Sequence, residues 1–151
     1  MRKILLLLAV MAAALIVASG VALAKNFVGT PRGERIVGTA QADKINARAG
    51  KDEVRALQGK DRVNAGIGRD SVYGGQGNDN IQGGGGDDVV RAGEGADRLR
   101  GGHDQDKLYG GLGKDVITTD GGFKDRVDCG PGVDTAYVDR KDIVKHCEKV
   151  K

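Results

Sequence analysis

Residues 65–118 read AGIGRDSVY GGQGNDNIQ GGGGDDVVR AGEGADRLR GGHDQDKLY GGLGKDVIT when cut every nine residues. The sixth place of every unit is Asp: Asp70, Asp79, Asp88, Asp97, Asp106 and Asp115. The eighth is aliphatic: Val72, Ile81, Val90, Leu99, Leu108 and Ile117. Gly gathers at the first, second and fourth places. The frame runs backwards without insertion to Gly29, through GTPRGERIV, GTAQADKIN, ARAGKDEVR and ALQGKDRVN, which makes ten units. Such a period is the signature of a repeat architecture, and its terminal units are expected to be atypical because one side lacks a neighbour.

Each unit divides in two. The residues G-G-x-G-x-D read as a turn, in which Gly permits positive φ and close backbone approach. The three that follow, as in Ser71-Val72-Tyr73, read as a short strand with its middle residue inward. Two units then make one 18-residue coil, and coils stack at the strand spacing of about 4.8 Å. Ten units predict five coils around a double column of Ile, Val and Leu. That interior leaves no room for aromatics, and the 151 residues contain no Trp, two Phe and three Tyr. Twenty-six Gly with two Pro and no Gly-X-Y period is not collagen-like. The regular aliphatic place argues against a disordered linker.

In this geometry alternate units lie directly above one another. Asp52, Asp70, Asp88 and Asp106 stack on one edge, and Asp43, Asp61, Asp79, Asp97 and Asp115 on the other. Carboxylates about 5 Å apart repel by roughly 1 kcal/mol in water and several times more near a protein surface. Two such ladders call for cations between the rungs. Calcium (Ca2+) suits them, as a hard ion that accepts carboxylate and carbonyl oxygens in flexible geometry; magnesium demands stricter octahedra and keeps its waters.

Over residues 29–118 the units resemble the hemolysin-type calcium-binding nonapeptide repeat of RTX proteins, most closely at GGQGND and GGGGDD. The resemblance implies an all-β, right-handed parallel β-roll with several calcium ions between adjacent turns. Carried over place by place, the implied carboxylate ligands are Asp52, Asp61, Asp70, Asp79, Asp88, Asp97, Asp106 and Asp115. Asp43 and Glu34 fill the same place in looser units. Gly74, Gly75, Gly77, Gly83, Gly84 and Gly86 are the implied carbonyl donors. Lys51, Lys60, Arg69 and Lys114 depart from the pattern at the fifth place, where a cation opposes calcium; Asn78 and Asp87 keep to it. By that criterion the units of Asp79, Asp88 and Asp97 are the strongest sites and those of Asp52 and Asp61 the weakest. Asp104 replaces a turn Gly in the ninth unit.

The ends differ from the array. Arg2 and Lys3, an apolar run from Ile4 to Ala18 and the small-residue site Ala22-Leu23-Ala24 predict a secretory signal peptide over residues 1–24. An uncleaved anchor is the other reading, because 21 residues suffice to span a bilayer. The signal implies a secreted, extracellular protein with no membrane insertion after cleavage. It holds two of the 24 basic side chains and none of the 21 acidic ones, so the remainder is nearly neutral and no nucleic-acid partner is expected. Cys129 and Cys147 are most simply read as one disulfide of an exported chain. Thr119 breaks the frame by one residue; DGGFKDRVD and CGPGVDTAY then continue it with Asp125 and Asp134. The chain therefore divides into a repeat domain over 25–118 and a last degenerate coil with a C-terminal cap over 119–151. In the cap, Ile143, Val144, Cys147 and Val150 are the candidate core residues.

Seventh and ninth residues point outward. The ninth places read Arg55, Tyr73, Arg91, Tyr109 on one face and Asn46, Asn64, Gln82, Arg100, Thr118 on the other. The Arg/Tyr column is either a stack of cation–π pairs lining the solenoid or a strip for cell-surface or matrix glycans. The second reading would make the protein an adhesive module with calcium structural or dispensable. Catalysis finds no support: His103 and His146 lack an evident nucleophile, and no GxSxG or HExxH occurs. The expectation is a calcium-binding protein that is not an enzyme.

Overall fold

The computed structural model describes residues 23–151. The predicted signal peptide lies almost wholly outside them. In chain order the strands are β1 (Asn26–Val28), β2 (Arg35–Val37), β3 (Lys44–Asn46), β4 (Glu53–Gln58) and β5 (Arg62–Ile67). There follow β6 (Ser71–Gln76), β7 (Asn80–Gly85), β8 (Val89–Gly95), β9 (Arg98–His103) and β10 (Lys107–Gly113). The last are β11 (Val116–Thr118), β12 (Arg126–Asp128), β13 (Thr135–Tyr137), β14 (Ile143–Lys145) and β15 (Lys149–Val150). Odd strands form one eight-stranded sheet and even strands one seven-stranded sheet, all parallel, so the chain winds about seven turns of a β-solenoid.

Register follows the eighth place of the repeat. Val54, Val72, Val90, Leu108 and Val127 are successive Cα partners in one sheet. Ile45, Val63, Ile81, Leu99, Ile117 and Ala136 are partners in the other. All are at most 2 % exposed. Two columns of aliphatic side chains meet between the sheets, joined by buried Ala47, Ala56, Ala65 and Ala92 at first places. Burial of one such Val or Leu contributes about 1.5–3 kcal/mol.

The strands are longer than a three-residue segment per unit. From β4 to β10 they run six or seven residues, because the first three places of the next unit stay paired. Gly75 pairs with Gly93 and Gly93 with Gly111, each at positive φ. A Cβ on Gly93 would collide with the Gly75 carbonyl oxygen one coil earlier. Close stacking therefore demands Gly there, and the true turn shrinks to the fourth, fifth and sixth places. Leu57 and Arg48 hold the same left-handed conformation, φ 86° and 79°, without that freedom.

The solenoid also exceeds ten units at both ends. Asn26–Val28 pairs with β3 ahead of Gly29. Beyond Thr119 the extra residue is absorbed around Gly121 and Gly122, both at positive φ, and Leu108 pairs with Val127. β14 and β15 close the two sheets. Of the four candidate core residues in the cap, Val144 and Cys147 pack against the core. Ile143 lies outward and is 37 % exposed, whereas Val150 pairs with Ala136 in register and is 54 % exposed. Cys129 and Cys147 form a disulfide across 18 residues, one coil length.

Candidate metal centre

Two ladders of carboxylates follow from the register. Eleven sixth-place aspartates, from Asp43 to Asp134, are 0 to 3 % exposed. They turn inward rather than lying in water on the edges. On one side the main-chain N–H of Asp52 donates to Oδ1 of Asp70 at 2.8 Å, Asp70 to Asp88 at 2.8 Å and Asp88 to Asp106 at 2.9 Å. The series continues through Asp125 to Asp142. On the other side Asp43, Asp61, Asp79, Asp97, Asp115 and Asp134 are linked the same way, and the Asp134 N–H ends on Glu148 Oε2 at 2.7 Å. Each bond runs from one coil to the next, and where the carboxyl is ionised it is charge-assisted and roughly twice as strong as a neutral one. Asp142 and Glu148 lie outside the nine-residue frame, so periodicity gave no signal for them as the terminal acceptors.

The second oxygen is the unusual one. Oδ2 of Asp52, Asp61, Asp70, Asp79, Asp88, Asp97, Asp106, Asp115 and Asp134 is buried and has no hydrogen-bond partner. A buried polar atom left unpaired costs about 1–3 kcal/mol, and more if charged. The first units avoid this. Asp43 Oδ2 accepts the Thr39 N–H at 2.6 Å and its hydroxyl at 2.9 Å, and Glu34 Oε1 accepts the Thr30 N–H at 2.5 Å. The Thr39 hydroxyl at the second place is a donor that a Gly there lacks.

The first place of each unit decides what stands beside Oδ2. A Cβ on Gly74 would lie 2.6 Å from Asp79 Oδ2, and one on Gly83 2.6 Å from Asp88 Oδ2. A Cβ on Gly101 would lie 2.5 Å from Asp106 Oδ2, and one on Gly110 2.5 Å from Asp115 Oδ2. In the units of Asp52, Asp61, Asp70 and Asp97 that place is Ala47, Ala56, Ala65 and Ala92, whose methyl groups are buried there. The carbonyl oxygens of Gly75 and Gly77 face Gly93 and Gly95 one coil on, and those of Gly66 and Gly68 face Gly84 and Gly86.

Electrostatics matches the geometry. Burial pushes the carboxyls up, opposed by the N–H each accepts and reinforced by neighbouring carboxylates. Asp61 rises to about 6, Asp88 and Asp97 to about 7, and Asp106 to about 8. Asp52, Asp70, Asp79 and Asp115 are also raised by burial. A row of such carboxyls takes up either protons or cations. The Cβ position on Gly74 that meets Asp79 Oδ2 also lies 2.5 Å from the Ala92 carbonyl oxygen, and that on Gly83 lies 2.7 Å from the Gly101 carbonyl oxygen. A carboxylate and a carbonyl oxygen facing one gap are the oxygen donors that fit a hard divalent ion. Among the described residues no three His, Cys, Asp or Glu side chains converge on one point, so carbonyls would supply most of the ligands.

The remaining expected residues fall at the margins. Arg69, at the fifth place, is drawn off to Asp87 on the next coil at 3.1 Å. Asp104 holds the left-handed conformation of the missing Gly, φ 77°, and accepts the Gly86 N–H at 3.1 Å. On the outer face Arg55 and Arg91 flank the Tyr73 ring at 5.5 and 5.6 Å, and Arg91 sits 4.8 Å from the Tyr109 ring. The Arg/Tyr column is thus stacked on itself. His103 is exposed, and His146 Nδ1 lies 2.8 Å from Asp128 Oδ1.

Residues 28–63, 56–90 and 82–117 match the family model of the RTX calcium-binding nonapeptide repeat, four copies. No curated protein matches the chain at a significant level.

Proposed function

The chain belongs to the family of RTX calcium-binding nonapeptide repeat proteins, and from that premise we propose that it is exported and folds when calcium reaches its aspartate turns outside the cell. The observation that carries this reading is the row of buried Oδ2 atoms without partners. A chain in that state is held back by unpaired charge, and calcium, when bound, supplies the positive charge and the vacant coordination that those oxygens lack. The repeat is a binding and structural unit, and no catalytic step is assigned to it.

The proposed ligands are the carboxylates of Asp52, Asp61, Asp70, Asp79, Asp88, Asp97, Asp106 and Asp115, with carbonyls of the turn glycines such as Gly74, Gly75, Gly77, Gly83, Gly84 and Gly86. Room beside Oδ2 orders them: Asp79, Asp88, Asp106 and Asp115, with Gly at the first place, bind ahead of Asp52, Asp61, Asp70 and Asp97, with Ala. This differs from an order based on fifth-place cations alone, which put Asp97 among the strongest.

Circular dichroism from chelator to millimolar calcium tests the reading. A cooperative rise in β signal, absent with magnesium, is expected. Full β signal in chelator would overturn coupled folding.

A further inference from the structure

The two outer faces differ in charge. The strands of the seven-stranded sheet contain Glu53, Glu94 and Asp128 among their cations. Those of the eight-stranded sheet contain Lys44, Arg62, Arg98, Arg100 and Lys149 and not one Asp or Glu. Lys44, Arg62, Asn80 and Arg98 are successive partners in register, so they form one column. Asn46, Asn64, Gln82 and Arg100 form the next column, about 6.6 Å along the strand. Among the described residues Arg100 pairs with Asp120, whereas Lys44, Arg62 and Arg98 are exposed and take part in no ion pair. An open hollow of about 330 Å³ lies between Lys44, Asn46, Arg62, Asn64, Asn80 and Gln82.

We propose that this face, built from β3, β5, β7 and β9, is a binding surface for a linear acidic polysaccharide. Lys44, Arg62 and Arg98 have no carboxylate partner among the described residues, which leaves their charge open to an anionic partner. The amides between them donate and accept, which suits hydroxyl groups rather than a bare polyanion. The rung spacing of about 4.8 Å is close to one sugar residue of an extended chain, and Arg62 and Arg98 stand two rungs apart, where alternate sugars carry the charge. A nucleic acid fits less well: β3, β5, β7 and β9 carry no Phe, Tyr or Trp to stack a base, and few cations to match its phosphate density. A membrane fits less well because amides, not apolar side chains, fill the centre of the face. The inference needs the folded solenoid and goes beyond its calcium sites.

The test is binding of the full chain to immobilised hyaluronate, in calcium, with the β signal confirmed beforehand. Dextran, duplex DNA and phosphatidylserine vesicles serve as comparisons. Retention on hyaluronate but not on dextran is expected. Lys44→Gln with Arg62→Gln and Arg98→Gln should weaken it by at least about tenfold and flatten its salt dependence, while Arg55→Gln with Arg91→Gln on the opposite face leaves it unchanged. If the triple variant loses its β signal, Arg62→Gln alone and the charge-keeping Lys44→Arg, Arg62→Lys, Arg98→Lys variant replace it, the first weakened and the second retained. No retention of the folded chain, or equal loss in the variants of both faces, overturns the proposal. Binding of DNA or vesicles through the same three residues without hyaluronate overturns the polysaccharide. A chain that folds in chelator and still binds hyaluronate would refute calcium-coupled folding while leaving this surface standing.

Discussion

From Asp61 to Asp115 each sixth-place Asp divides its work between two oxygens: Oδ1 accepts the N–H of the Asp one coil earlier, and Oδ2 has no partner. Substitutions can address the second oxygen alone. In Asp88→Asn the amide keeps an acceptor for the Asp70 N–H and removes the unpaired anionic oxygen. The expected outcome is a metal-free chain more stable by about 1–3 kcal/mol and a weaker calcium response, measured by urea unfolding in chelator and in calcium. A less stable chelated form would contradict the account of Oδ2. First-place residues offer a gain and a loss. Ala92→Gly opens the Asp97 turn and should add calcium uptake by titration calorimetry, against a backbone cost of roughly 0.5–1 kcal/mol. Gly83→Ala puts a methyl 2.6 Å from Asp88 Oδ2 and should remove one bound ion. Unchanged stoichiometry in both would show that the first place does not control access.

At the scale of the element, the ladders couple strand pairing to charge. Folded coils hold Asp88 and Asp97 protons up to about pH 7 and the Asp106 proton up to about 8, whereas an unfolded Asp loses its proton near 4. Protonation therefore favours the folded side. Metal-free stability is full below about pH 4 and fades as pH rises through 6 to 8. In chelator, β signal should return on acidification, and calcium dependence should be steepest above pH 7; acid unfolding of the metal-free chain would reverse this sign. The disulfide acts on another element. Linking Cys129 to Cys147 closes one coil, a loop whose closure contributes about 3 kcal/mol. Cys147→Ser should speed amide exchange in β14 and β15 while leaving β6 and β8 unchanged. Much of this was legible beforehand: Val72 and Leu108 announced the inward column, and Asp70 and Asp88 the order of the ladder. Strand length was not, because Gly74-Gly75-Gln76 reads as turn by composition yet is held extended by the coils on either side. Nor were Asp142 and Glu148 as end caps, since they follow Asp125 and Asp134 by 17 and 14 residues.

For the whole molecule, which of the two sheets a strand joins matters more than the count of repeats. Strands alternate between sheets every nine residues, so a face is a property of every second unit. The ladder tolerates one extra residue after Thr118, because the bulge lies in a turn and Val127 still meets Leu108. It would not tolerate a change of nine in the same sense. Removing the unit from Gly74 to Gln82 would leave the aliphatic columns and both Asp ladders continuous, and a folded protein is the expected result by circular dichroism. Yet every strand downstream would change sides, carrying Arg91 and Tyr109 beneath Asn64 and Arg100 beneath Tyr73. Duplication or loss of a gene segment in steps of 54 nucleotides preserves both surfaces, whereas a step of 27 preserves the fold and scrambles them. The heritable module of this protein is the coil, although the repeat visible in its sequence is only half of one.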